Sequence, residues 1–107
     1  MYFDKEIFVE RKNSANELAG NFSIYRTRFE EELATGQGKK YLLIENSDYK
    51  DVVTGNYRSE YKPASYIATL HTFNHRYDIE IFFMKDKKYS AMWIYYTFMY
   101  WLREQLR

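Results

Sequence analysis

The apolar positions of this chain change period along its length, and the changes mark out elements. Ile7-Phe8-Val9 runs directly into Glu10-Arg11-Lys12. The run is too short for a helix and rich in β-formers, so residues 7–12 are predicted as a buried strand. Residues two apart on a strand share a face. Glu10 and Lys12 are therefore expected side by side, with Arg11 turned the other way. Met1 to Lys5 reads as a hairpin end or a frayed start. Asn13-Ser14 offers a cap ahead of Ala15, Leu18 and Ala19, and Gly20-Asn21 permits a break. Phe22, Tyr25, Phe29 and Leu33 recur at helical spacing, which predicts a helix over about residues 23–35 with Gly36 as its C′ residue. Glu30, Glu31 and Glu32 are its solvated face. Arg26 and Arg28 point partly away from the Phe29 stripe, toward either a phosphate or these glutamates.

Gln37-Gly38-Lys39-Lys40 is expected to turn the chain into Tyr41-Leu42-Leu43-Ile44-Glu45. A continuous apolar run bounded by turn residues suits a strand covered on both faces of a parallel sheet. Asn46-Ser47-Asp48 can cap a short helix near Tyr49 to Val53, ended by Gly55, and residues 56–62 read as a loop. Pro63 suits a first helical turn, followed by Tyr66, Ile67, Leu70, Phe73 and Tyr77 at helical spacing. Residues 78–84 alternate around Ile79, Ile81 and Phe83, a third strand, and Asp86-Lys87-Lys88 turns the chain again. Residues 89–107 predict a final helix, apolar almost all round. One face of it can pack on the sheet. A second face of Tyr and Trp is left over, which predicts either a homodimer through this helix or a helix wedged in a groove of its own domain.

The order strand, helix, strand, helix, strand, helix argues for an α/β layer fold with a small central mixed sheet flanked by helices, in a single domain over residues 1–107. Twenty-two aromatic residues (12 Tyr, 8 Phe, 2 Trp) help a short chain bury enough surface to fold. Without cysteine there is neither a disulfide framework nor a thiolate metal site. A net charge of +1 gives a weak overall field, so any nucleic-acid contact has to come from a local basic patch. Charges at Asp4, Lys5, Glu6 and Glu10 lead to the expectation that no signal peptide opens the chain, and its longest apolar run, Ala91 to Leu102, is too short to span a bilayer. The expectation is a protein of the cytoplasm without membrane contact. No glycine-rich phosphate loop supports nucleotide binding.

Two pairs carry candidate chemistry. A carboxylate and an ammonium on one strand face, Glu10 and Lys12, can hold a divalent cation and a hydrolytic water. The plainer alternative is a surface ion pair contributing about 0–1 kcal/mol. His71 and His75 lie four apart on the predicted helix, but no third ligand is near in sequence, and helix-surface histidines are the simpler reading.

The string Val9-Glu10-Arg11-Lys12-Asn13-Ser14 resembles the signature of the XPF-family (ERCC-type) nuclease domain, especially its short stand-alone forms from phages and bacteria. That signature is Gly-Asp, a variable gap, then Glu-Arg-Lys-x-x-x-Asp. Glu17 to Asn21, Arg28-Phe29-Glu30, Leu42 to Glu45, Tyr57-Arg58-Ser59 and Arg76 to Ile79 are similar to later stretches of the family, in the same order. The resemblance implies a restriction-endonuclease-like (PD-(D/E)XK) core. It implies a nuclease that cuts branched, flap or single-strand-containing DNA with Mg²⁺ or Mn²⁺, chemistry of use in repair and recombination. Carried over by position, Glu10 would be a metal ligand, Arg11 would offer its carbonyl to the metal and its side chain to the site, and Lys12 would position or activate the attacking water. Phosphate contacts are expected from Arg11, Arg28, Lys39, Lys40 and Arg58. Two departures stand out. The Gly-Asp pair would fall at or just before Met1, with Asp4 the one nearby substitute, which leads to the expectation of an N-terminally truncated domain. Asn16 stands where the motif ends in Asp. The alternative reading is a catalytically weak DNA-binding or dimerisation module that keeps the nuclease fold.

Overall fold

Ile7–Lys12 forms strand β2, and Tyr2–Phe3 forms a short β1 antiparallel to it. These belong to a computed structural model that describes residues 2–3, 6–35 and 38–107, without the side chains of Tyr2, Phe3 and Thr35. The expectations at Asp4 and Gly36 fall outside the described residues. Strand β3, Lys39–Glu45, lies parallel to β2, and β4, Ile79–Met84, lies parallel to β3. The order across the mixed sheet is β1-β2-β3-β4. The β2/β3 register sets Ile7 opposite Lys39 and Lys12 opposite Ile44. Leu42, Leu43 and Ile44 are buried on both faces, as a central parallel strand requires. Entry into β3 needs a glycine. A Cβ on Gly38 would sit 2.1 Å from the Glu6 carbonyl oxygen, the same oxygen that accepts from Lys39 N at 2.8 Å.

Among the described residues five helices surround the sheet. The first, α1, spans Ala15–Phe22, and Ser14 caps it by accepting from Glu17 N at 3.1 Å. The expected break at Gly20-Asn21 is absent, because both residues stay inside α1. The helix ends at Ser23, whose hydroxyl donates back to Ala19 O at 2.8 Å. The next helix, α2, begins only at Arg26 and runs to Thr35, so Phe22 belongs to α1 and Tyr25 to the connection. Tyr49–Thr54 forms α3, with a reciprocal capping box between Asp48 and Asp51 and left-handed Gly55 at its end. Pro63 opens α4, Pro63–Arg76. A 3₁₀ turn at Lys87–Tyr89 leads into α5, Ser90–Gln105, slightly shorter than the spacing predicts. Among the described residues no helix is long and apolar enough to cross a membrane.

Side-chain alternation divides the sheet into two faces. Phe8, Leu42, Ile44 and Ile79 pack under α1, α2 and α4, where Phe22, Phe29, Tyr66 and Phe73 form a ring cluster. The Tyr66 hydroxyl donates to Ala15 O at 2.6 Å, which satisfies it in the core. Burial raises its pKa above the usual phenol range. On the opposite face Val9, Leu43 and Ile94 form a smaller cluster beneath α5.

Candidate active site

The end of β2 delivers two charges to one face and one to the other. Glu10 and Lys12 emerge on the face of α1 and α2, with Lys12 Nζ 3.3 Å from Glu10 Oε1. The Lys12 side chain is 9% exposed and that of Glu10 35%. Phe29 supports the ammonium from below, at 4.9 Å from its ring centroid. This is more than a surface ion pair. The lysine is nearly sealed, and the carboxylate is left half-open. Both border a cavity of about 450 Å³ whose far wall is Asn21, Tyr25, Arg28 and Glu32.

That wall comes from α1, the connection after it, and α2. Arg28 and Glu32 pair across one helical turn at 3.5 Å. Asn21 Oδ1 is buried and has no hydrogen-bond partner among the described residues. Sequence reasoning passed over Asn21, Tyr25 and Glu32 as site residues, because their approach to Glu10 depends on how α2 folds back on α1. The one available signal was their spacing around Arg28.

Arg11 is not brought to this cavity by its side chain. The guanidinium lies on the opposite face and bonds Glu45 Oε2 at 3.0 Å. Glu45 is buried, with 3% of its side chain exposed. Burial works against its charge, but the Arg11 bond, with Ser90 and Lys87 nearby, outweighs burial and holds the carboxyl below the usual carboxylate range. Only the main chain of Arg11 lies between Glu10 and Lys12.

The other expected phosphate contacts are dispersed. Lys39 and Lys40 sit level with Ile7 and Phe8, at the opposite end of the strands from Lys12, roughly 13–17 Å away along the sheet. Lys39 is also paired with Glu80 at 3.6 Å. Its pKa is raised by the neighbouring Tyr41 and Glu80. Arg58 lines a different cavity, with Asn16. Asn16 therefore does not border the Glu10 cavity. His71 accepts or donates a 2.8 Å bond with the Tyr49 hydroxyl on an exposed surface, and no group of three His, Cys, Asp or Glu side chains suited to a metal occurs among the described residues.

What the Glu10 cavity offers a hard cation is the carboxylate of Glu10, that of Glu32 on the far wall, which is paired with Arg28, and the amide oxygen of Asn21. Mg²⁺ keeps several waters and binds through one or two carboxylates plus substrate phosphates. The donor set fits a cation held jointly by protein, water and substrate.

A mixed α/β sheet carries a carboxylate and a lysine two residues apart at the end of an inner strand, and the family match gives it a restriction-endonuclease-like fold. The family model of the ERCC4 domain matches residues 2–97, and the chain belongs to that family of nucleases. Its members act on branched DNA and are generally dependent on divalent metal. Comparison with curated proteins and with solved structures finds no match.

Proposed function

We propose that this chain is a metal-dependent endonuclease that hydrolyses phosphodiester bonds in branched, flap or single-strand-containing DNA. The observation that supports it best is the Glu10–Lys12 pair, 3.3 Å apart on an open cavity, in a domain of this family. Glu10 and the Arg11 carbonyl are the residues that would hold Mg²⁺ or Mn²⁺. When bound, such a cation polarises the phosphate and lowers the pKa of its water.

The chain's own residues supply the rest. An ammonium has three donors. Lys12 gives one to Glu10 and keeps the others for the attacking water and a phosphate oxygen, offsetting charge that grows during attack. Packing on Phe29 limits its rotamers, so the charge is already in position. Arg28, 82% exposed at its side chain, stands at the cavity wall to meet a neighbouring phosphate. The Arg11 side chain, Lys39, Lys40 and Arg58 are phosphate contacts outside this cavity, which position DNA without reading sequence. The exposed rings of α5, Tyr95, Tyr96 and Tyr100, support a homodimer through that helix.

One observation favours a second reading, a catalytically weak DNA-binding or dimerisation module. Glu10 is the one carboxylate adjoining Lys12 on β2, and no three-acid cluster occurs among the described residues. Incubation of flap, splayed-arm and blunt duplex DNA with the protein in Mn²⁺, Mg²⁺ or EDTA separates the two. Metal-dependent nicking of the flap and splayed-arm substrates supports the nuclease. Tight binding without nicking in any metal supports the module.

A further inference from the structure

A second cavity, of about 530 Å³, opens where the loops leave the C-terminal ends of β2 and β3. Arg58 lines it, exposed and paired with no carboxylate among the described residues. No acidic side chain lines it. Ser47 lines it too, 4% exposed. Its oxygen accepts from Ala15 N at 2.9 Å, which leaves the hydroxyl proton without an acceptor among the described residues. Asn16 contributes a side-chain amide that makes no hydrogen bond among the described residues. Where the motif has an aspartate, this chain therefore has a neutral donor. The wall also includes Ser14 and Ala15, the start of α1, which favours negative charge.

An unpaired guanidinium, a buried hydroxyl seeking an acceptor and a free amide are complementary to a tetrahedral oxyanion. We propose that this cavity binds a phosphate group. On the nuclease reading above, on which this assignment of the source rests, the group is a backbone phosphodiester of the DNA substrate, distinct from the one met by Glu10 and Lys12. Ser14 follows Lys12 by two residues, so one DNA strand crossing the C-terminal edge of the sheet meets both sites. An aspartate at residue 16 would fill the cavity with the wrong charge and give Arg58 a partner.

Two arms test this on the full chain. In the first, inorganic phosphate is titrated while backbone amide resonances are followed by NMR. Shifts centred on Ser14, Asn16 and Arg58, lost in Arg58→Ala, are expected. In the second, affinity for splayed-arm DNA is measured against salt for the parent chain, Arg58→Ala and Asn16→Asp. Arg58→Ala should weaken binding roughly tenfold and reduce the slope of log K on log salt by about 0.7–0.9. Asn16→Asp should weaken binding with Arg58 still in place. Thermal unfolding of each variant checks that both remain folded. Unchanged affinity and slope in both variants, with DNA still bound, overturns the cavity assignment and leaves the nuclease reading standing. Phosphate shifts at the cavity with no DNA binding by the parent chain keep the phosphate site and remove the nuclease reading. No shifts and no DNA binding remove both.

Discussion

The two faces of the sheet are built to different standards. Among the described residues, thirteen are buried in one cluster beneath α1, α2 and α4, including five rings, whereas the cluster beneath α5 has three, Val9, Leu43 and Ile94. Apolar burial scales with area removed from water, so most of the folding stability resides on the first face. Of the sixteen residues of α5, only Ser90 and Ile94 are buried. Met92, Tyr95, Tyr96 and Tyr100 remain about half exposed or more. The contrast separates two jobs. Glu10 and Lys12 emerge from the densely packed face, where Phe29 belongs both to the core and to the lysine's support. The α5 face is available for another surface.

The largest effect is expected from removing one ring on the first face. Phe73→Ala, at 0% exposure among Phe22, Phe29 and Tyr77, should cost about 3–5 kcal/mol in chemical denaturation. A loss below about 1 kcal/mol would mean that the first face does not dominate. Next in size is the link between β2 and β3 on the second face. Arg11→Ala strands the buried Glu45 carboxylate and should cost roughly 1–3 kcal/mol near neutral pH, less than a fully buried pair because Arg11 is 43% exposed.

That cost has a signed pH dependence. In the parent chain the Glu45 pKa is lowered, so its contribution is complete above the ordinary carboxylate range and is lost as pH falls through the lowered value. With the guanidinium gone, burial acts with less opposition and moves the pKa upward. The difference between variant and parent should then shrink below about pH 4, measured by denaturation at several pH values. A difference that grows with acid would contradict the pairing. Smallest of all is the effect of Tyr95→Ser with Tyr100→Ser. Monomer stability should stay within about ±0.5 kcal/mol for each, while, on the proposed homodimer, sedimentation should report a shift from dimer to monomer. A large loss of stability would instead assign α5 to the core.

Much of the fold could be read from local chemistry. Ser14, Asp48, Gly55 and Pro63 bound their helices as their side chains or backbone freedom dictate, and the apolar runs of β2, β3 and β4 lie in a parallel sheet. The α1–α2 boundary was misplaced because Gly20 looks like a breaker. In α1 it is simply a helical position where a Cβ would meet nothing within 4 Å. Phe22 and Phe29, read as one helical stripe, meet instead at 6.0 Å across two helices. Period 2 placed Glu10 and Lys12 together and Arg11 opposite. It said nothing of Glu45, thirty-four residues away, or of the α2 wall around Arg28. Those contacts depend on strand register and helix packing, which local spacing does not encode.

In the proposed nuclease Glu10 and Lys12 form the reacting centre. Its most direct test is the single-turnover rate of splayed-arm DNA cleavage in Mn²⁺ for the parent chain, Glu10→Gln and Lys12→Ala. Removal of either group should slow cleavage by about 10²–10³-fold while DNA affinity changes far less. Equal rates for all three proteins would contradict the assignment.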